Sequence, residues 1–162
     1  MTNYYLCDII IFMSRKSFFL IVFLILGSVC FSQSADFITE MIEAETVSYE
    51  DVGYLCAVNL GLVSDSSSTQ DALIALDKAG VISMPKEPTA NISYSALANM
   101  CMKTWKIKGG LLYRITKANR YAFREFQSRG LIGTTVDPYS TVTGIQVLNL
   151  ITQCMEIAGE IN

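Results

Sequence analysis

The sequence predicts an all-α fold in which a short helix, a loop and a longer helix are repeated after an N-terminal signal segment. Residues 72–93 and 122–143 match at a constant offset of 50 without a gap, and such a period indicates one supersecondary unit used more than once. No segment after Gln33 alternates polar and apolar residues as a half-buried strand does. The matching pairs are Ala72 and Ala122, Leu76 and Phe126, Gly80 and Gly130, Ile82 and Ile132, Pro88 and Pro138, Ile92 and Val142, and Ser93 and Thr143.

Residues 1–34 are predicted to be a signal peptide. A basic patch at residues 14–16 precedes an apolar run at residues 18–31, and the small residues Ser32 and Ser34 follow, which is the order of regions in a secretory signal. The run is about 14 residues long, shorter than the roughly 20 that span a bilayer. Cleavage after Ser34 or Ser32 is expected, and Met13 is an alternative start. The mature chain is therefore expected in the periplasm or cell envelope of a bacterium.

Two alternatives would tie the chain to a membrane. An uncleaved signal would serve as an anchor, and Cys30 would carry a lipid if residues 27–29 served as the motif before it. After cleavage, residues 35–46 form an acidic leader that is predicted to contain a short helix. Residues 47–162 form the helical domain, with two to three repeat units.

The composition argues against catalysis, metals and cofactors. The chain has no histidine, which is the commonest general base at neutral pH and the commonest metal ligand. The cysteines left after cleavage, Cys56, Cys101 and Cys154, lie on apolar helix faces, where a thiol behaves as a small hydrophobe. Glu50 and Asp51 are interpreted as first-turn acids of a helix rather than as a catalytic pair. We therefore expect a protein that is not an enzyme and that needs no cofactor.

The first half of the domain is predicted to contain two helices. Ser48 and Asp51 stand three apart as in a capping box, and Gly61 ends the helix that they begin. Ser68 or Thr69 begins a second, shorter helix, and the glycine after it is expected to be left-handed. The inward residues predicted for the two helices are Tyr49, Val52, Cys56, Leu60, Leu73, Leu76 and Ala79.

Three further helices are predicted in the second half. Residues 111–115 are expected to be a brief apolar link between two of them. The predicted N-caps are Ser93, Thr116 and Thr143, the last with Gln146 as a capping box, and the predicted helix ends are Gly109 with Gly110, and Gly130.

This layout resembles the S-layer homology (SLH) family over roughly residues 47–157. The residues that carry the resemblance are Tyr121-Ala122 as the pair opening the short helix, residues 130–133 as the turn, Pro138 as the loop proline, and Val142-Thr143 as the start of the longer helix. In the family's Ile/Val-Thr-Arg-Ala-Glu motif, the arginine place is taken here by Tyr94 and Gly144. The resemblance implies a repeated helical module that grips cell-wall polysaccharide.

A basic segment is the leading candidate site. Eight of the ten Lys and Arg residues of the expected mature chain lie between Lys103 and Arg129, where Glu125 is the only acid. Arginine forks suit carboxylates and phosphates, and nearby tyrosines could stack on sugars. The alternative is that these charges have no binding role and form an ordinary solvated face, or that they pair with the acidic leader. The candidate ligand- or partner-binding residues are Arg114, Lys117, Arg120, Arg124, Tyr113 and Trp105.

The sequence-based hypothesis is a non-catalytic envelope module that binds peptidoglycan or another anionic cell-wall glycan, or anchors an envelope protein. The alternative is an accessory or assembly protein of a larger periplasmic machine, with Trp105, Tyr113 or Phe123 as interface anchors. Residues 109–114 interrupt the repeat and would make contacts in either case. Nucleic acid is not an expected partner, because the chain is net acidic and has no known reading motif.

Overall fold

The computed structural model describes residues 32–161, and this part of the chain is all-α, with seven helices and no strand. The all-α part of the predicted fold class is therefore confirmed. The predicted signal segment falls, up to residue 31, outside the described residues. The helices are α1 (Ser32–Glu43), α2 (Tyr49–Asn59), α3 (Thr69–Lys78), α4 (Tyr94–Thr104), α5 (Leu111–Thr116), α6 (Asn119–Ser128) and α7 (Gly144–Ile161).

The residues from Ile38 onward form one compact unit, and α1 begins in the preceding unit, which ends at Phe37. Among the residues that the structure describes, the buried apolar side chains run from Met41 to Cys154, within the second unit. This unit therefore has its own hydrophobic core and meets the physical requirement for folding by itself. Among residues 32–161, no helix is both long enough and apolar enough to cross a bilayer.

Hydroxyl side chains begin the helices at the predicted N-caps of α2, α3, α4 and α7. Ser48 Oγ accepts the N–H of Asp51 at 3.2 Å, and the Asp51 carboxylate accepts the N–H of Ser48 at 3.2 Å, which closes a capping box. Thr143 and Gln146 make the same reciprocal pair at 3.0 and 3.4 Å. The N-caps of α3 and α4 are Ser68 and Ser93. Each cap satisfies an N–H group that the helix itself leaves unpaired.

Four helices end in the same left-handed turn. After α2, α3, α4 and α6, a residue with positive φ donates its N–H to the carbonyl three residues back, and the next N–H reaches five residues back. The positive-φ residues are Gly61, Gly80, Lys106 and Gly130. The prediction that Gly109 and Gly110 end α4 is wrong, because Lys106 adopts the turn three residues earlier.

The two matching segments make equivalent hydrogen bonds. Glu50 N donates to the Pro88 carbonyl and Ser95 N to the Pro138 carbonyl, each at 3.0 Å. Each loop proline thus accepts from the first turn of the long helix that precedes its segment.

The starts of α2, α4 and α7 are joined in a cycle, which the short chain segment between Ala44 and Val47 completes. One bond joins the segments before α2 and α4, a second joins α4 to the segment before α7, and a third joins α7 to the residue after α1. The three bonds are Ile92 N to Val47 O at 2.8 Å, Tyr94 N to Ser140 O at 3.2 Å, and Gly144 N to Ala44 O at 3.0 Å.

The segment between α4 and α6 differs most from the sequence-based expectation. Residues 111–115 are not a link but most of the six-residue helix α5, and Thr116 closes that helix instead of capping α6. Thr116 Oγ1 donates to the Leu112 carbonyl at 2.8 Å, and α6 begins at Asn119 without a side-chain cap. Glu125 on α6 holds the start of α5, since its Oε1 accepts the N–H of Gly110 at 2.7 Å. This tertiary contact has no local sequence signal.

Four of the seven predicted inward residues of α2 and α3 are buried, Tyr49 is half-buried, and two are exposed. Leu60 is 38% exposed and Ala79 is exposed, because both are the C-cap residues at which their helices turn away from the core. Cys56, Cys101 and Cys154 are buried free thiols, as expected. Burial raises the pKa of Cys56 to about 12 and raises that of Cys101 well above its usual value, so both thiols stay protonated and unreactive at neutral pH.

Candidate ligand-binding grooves

Two of the six candidate residues, Arg120 and Arg124, lie together on the exposed side of α6. They line a groove of about 580 Å³ with Asn119, Phe123, Gln127 and Tyr139, which we call the arginine groove. Tyr139, in the loop that follows α6, is 78% exposed. The groove thus offers two guanidinium forks, two amides and an accessible aromatic face, which suits a sugar bearing acidic groups.

Helix α6 sets the positions of these side chains. Ala122, Phe123 and Phe126 are buried, and Arg120 and Arg124, four residues apart, share the opposite side. Gln127 fixes the facing loop, because its Nε2 donates to the Gly133 and Thr134 carbonyls at 3.1 and 3.4 Å.

A second groove of about 500 Å³ adjoins the first. Its lining includes Tyr49, Lys86, Glu87, Asn99, Lys103 and Asn119, and we call it the asparagine groove. Asn119 belongs to both grooves, so they meet at the first turn of α6.

A third groove of about 700 Å³ adjoins the asparagine groove. Its lining includes Asp77, Lys103, Lys106, Tyr113 and Lys117, and we call it the lysine groove. Lys103 lines both the second and the third groove. The three grooves together carry six cations, Lys86, Lys103, Lys106, Lys117, Arg120 and Arg124, against the carboxylates Asp77 and Glu87.

A buried hydrogen-bond chain supports the junction of the grooves. The Tyr113 hydroxyl donates to Asn99 Oδ1 at 3.0 Å, and Asn99 Nδ2 donates to Asn119 Oδ1 at 2.6 Å. Asn99 is 8% exposed, so its amide is fixed by these two partners rather than by solvent. The chain ties α5 to α4 and α4 to the start of α6, and it sets the position of Asn119 between two grooves.

Tyr113, which begins this series of hydrogen bonds, is buried, so its ring is not accessible for stacking on a sugar. Its side chain is only 2% exposed, and desolvation by burial raises the pKa of its hydroxyl to about 12. Lys117 Nζ lies 4.9 Å from the centroid of the Tyr113 ring, a cation–π contact. Lys117 itself is the left-handed C-cap of α5, with φ of 52°, so it does not belong to the α6 face that carries Arg120.

The remaining candidates lie apart from the arginine groove. Arg114 is exposed on α5 and is not among the lining residues of the three grooves. Trp105 is half-buried at the end of α4, where its Nε1 donates to Asn59 Oδ1 at 3.1 Å. Arg129 donates a hydrogen bond to the Lys108 carbonyl and so connects the end of α6 to the segment before α5. The Lys and Arg residues of the basic segment therefore do not form one surface, although most of them line the three grooves.

Sequence reasoning missed three polar groove residues, Asn99, Asn119 and Tyr139. Nothing in the sequence around Asn99 marks it, since it sits on the inward side of a helix and acts through distant partners. Tyr139 could have been found, because an aromatic residue next to the repeated Pro138 is expected in an exposed loop.

A smaller groove repeats the architecture of the asparagine groove without its charge. This groove, of about 230 Å³, is lined by Tyr94, Ile132, Asn149, Leu150 and Gln153 among others, and we call it the twin groove. Its residues correspond in order to Tyr49, Ile82, Asn99, Met100 and Lys103 of the asparagine groove. Gln153 stands where the asparagine groove has Lys103, so the positive charge is specific to one of the two grooves.

Compared with known proteins, the chain matches no family model and no curated protein at a significant level. Within residues 32–161 there is no group of three or more Cys, Asp or Glu side chains placed to hold a metal ion.

Proposed function

We propose that this protein is a non-catalytic module of the bacterial cell envelope, built from SLH-like repeats, that binds an anionic cell-wall glycan such as peptidoglycan. The repeat is supported by the left-handed turns at Gly80 and Gly130 and by the equivalent bonds to the Pro88 and Pro138 carbonyls. The cyclic connection of three helix starts and the twin groove support it further. Export rests on the order of basic, apolar and small residues at the N-terminus.

The observation that carries the ligand class is the concentration of cations in adjoining grooves of a net acidic chain. Its formal net charge is −3, yet the three grooves hold six Lys or Arg side chains and two carboxylates. An ordinary solvated face mixes both signs. Cations along a continuous concave path favour a polymeric anion that contacts several of them at once.

The amides and Tyr139 favour a glycan over a simple polyanion. Because Asn119 Oδ1 accepts from Asn99 and Gln127 Nε2 donates to the facing loop, a sugar hydroxyl would accept from Asn119 Nδ2 or donate to Gln127 Oε1. Tyr139 offers an exposed ring on which a sugar face can stack. The carboxylates of peptidoglycan stems and acidic envelope polymers fit the arginine forks.

Co-sedimentation with purified cell-wall sacculi tests this proposal. We expect the chain from Ala35 to sediment with sacculi at low salt and to be released by high salt and by the double variant Arg120→Glu with Arg124→Glu. The variant Arg114→Glu is the matched control, because it reverses an exposed arginine outside the grooves. No sedimentation at low salt, or equal release by the control, would contradict the glycan proposal.

The twin groove supplies a second control. Lys103→Glu should weaken sedimentation, whereas Gln153→Glu introduces the same side chain at the equivalent place of the uncharged groove and should have little effect. Equal losses would mean that added negative charge anywhere on the surface is sufficient.

A protein-only role as an accessory of a larger envelope machine is the second candidate. Two of the aromatic residues that would anchor such an interface are buried, Tyr113 at 2% and Phe123 at 4% exposure, and Trp105 is engaged with Asn59. Tyr139, which is 78% exposed, is the aromatic residue that would be accessible to such a partner instead. Cross-linking in cells that captures one specific protein, together with no binding to sacculi, would support it.

A further inference from the structure

Helix α5 presents three large aliphatic side chains to solvent. Leu111 is 70% exposed, Leu112 is 55% exposed and Ile115 is 72% exposed, although the helix is only six residues long. Single exposed aliphatic residues are common on protein surfaces, whereas three within five positions of one short helix form a patch. We call these three residues the α5 patch.

The helical geometry separates the α5 patch from the side that holds α5 to the protein. At about 100° per residue, the three aliphatic side chains fall within an arc of about 100°, and Tyr113 points about 100° beyond Leu112 and away from them. Tyr113 is the buried anchor, bonded to Asn99. The α5 patch is therefore the outward side of an amphipathic turn.

The segment that contains the α5 patch is basic. Residues 104–124 contain six Lys or Arg and no Asp or Glu. Arg114 is exposed on α5 itself, next to the aliphatic arc. The carboxylate that the structure places against α5, Glu125, is engaged with the N–H of Gly110.

From this combination we infer that the α5 patch docks on the surface of an anionic phospholipid bilayer, with Leu111, Leu112 and Ile115 entering the headgroup region. An anionic bilayer satisfies both features at once, since acyl chains cover the aliphatic residues and lipid phosphates pair with the cations. A second copy would bring like charges together across a two-fold contact. The α5 patch and Arg114 lie outside the three grooves, whereas four nearby cations line them. The aliphatic residues of the α5 patch therefore separate this inference from the glycan proposal.

Vesicle flotation tests the inference. The probe is phosphatidylcholine vesicles with and without phosphatidylglycerol, and the protein is the chain from Ala35, which contains the whole compact unit with its core. We expect flotation with the anionic vesicles only, and a loss with added salt. Leu111→Gln with Ile115→Gln should reduce the bound fraction about tenfold or more, because each side chain contributes several buried carbons. Arg114→Ala should reduce it less.

The control variant is Leu62→Gln with Met84→Gln, which changes two exposed apolar residues outside α5 and should float like the unchanged chain. No flotation with either vesicle overturns the inference, as does equal flotation of the Leu111→Gln, Ile115→Gln variant. A lipid-free dimer that this variant dissociates in sedimentation velocity also overturns it, because a second copy then covers the patch. Sacculus binding should be unchanged in the variant, which keeps this result separate from the glycan proposal.

Discussion

Gly144, the first residue of α7, lies directly against the carbonyl oxygen of Met41 at the end of α1. A β-carbon at Gly144 would overlap with that backbone oxygen, and the N–H of Gly144 donates to the Ala44 carbonyl at 3.0 Å. This contact closes the cycle of helix starts. Glycine is therefore required at this position, because no side chain fits there.

Gly144→Ala should therefore destabilise the protein by about 2–4 kcal/mol, since a backbone clash in a packed site cannot be relieved by a rotamer change. The measurement is the free energy of unfolding from urea denaturation. Gly159→Ala on the same helix is the control, because nothing lies within 4 Å of its added β-carbon. It should be neutral or stabilising by up to about 1 kcal/mol. Similar losses for both variants would contradict the close approach.

Gly80→Ala and Gly130→Ala should cost nearly the same free energy, about 1–2 kcal/mol each. Both glycines have positive φ, at 70° and 74°, and open space beside an added β-carbon, so the cost is backbone strain alone. The reverse change Lys106→Gly, at φ of 52°, should stabilise the protein by up to about 1 kcal/mol. Clearly unequal costs at the two glycines would argue against equivalent turns.

Asn99→Ala should destabilise the protein by about 1–3 kcal/mol, because it leaves the buried Tyr113 hydroxyl without its partner. Tyr113→Phe should cost less, since the Asn99 amide keeps Asn119. In the double variant the combined loss should be smaller than the sum, and thermal or urea denaturation of all four proteins measures that coupling. Strict additivity would mean that the two side chains do not interact.

The buried thiols should make the fold sensitive to alkaline pH. Burial raises the pKa of Cys56 from 9.0 to about 12 and that of Tyr113 from 10.0 to about 12, so folding favours their neutral forms. Their contribution is fully present below pH 9 and is lost as pH rises towards 12. We expect the free energy of unfolding to fall across this interval, and less steeply in Cys56→Ala.

Thiol labelling gives the matching kinetic test. At pH 8 the native chain from Ala35 should react with an alkylating reagent only through unfolding, whereas the same chain unfolded should label at Cys56, Cys101 and Cys154 at once. Rapid labelling of the native protein would point to an accessible, redox-active thiol instead.

The sequence predicts those features of this fold that depend on interactions between residues close together in the chain. Serine and threonine N-caps, and the glycines at 80 and 130, satisfy backbone groups within a few residues, so their patterns are visible in the chain alone. Helix α5 could not be found in this way, because it has no cap of its own and depends on Glu125 and Asn99 from other helices. Lys106 was missed because a lysine rarely adopts positive φ.

The sequence predicted the basic segment of the candidate site, but it did not predict the grooves that these residues line. The i and i+4 spacing places Arg120 and Arg124 on one face, and the structure puts both in one groove. The burial of Tyr113 could not be predicted in this way, because its basic sequence neighbours suggest a solvent-exposed position. The contributions of Asn119 and Tyr139 come from elements that meet only in the folded chain.

Nuclear magnetic resonance titration of the chain from Ala35 with solubilised peptidoglycan fragments tests the glycan-binding grooves most directly. We expect chemical-shift changes at Arg120, Arg124 and Asn119 that extend to Lys103, while the twin groove around Asn149 and Gln153 stays unchanged. No shifts at low salt, or shifts centred away from the arginine groove, would contradict a glycan-binding function.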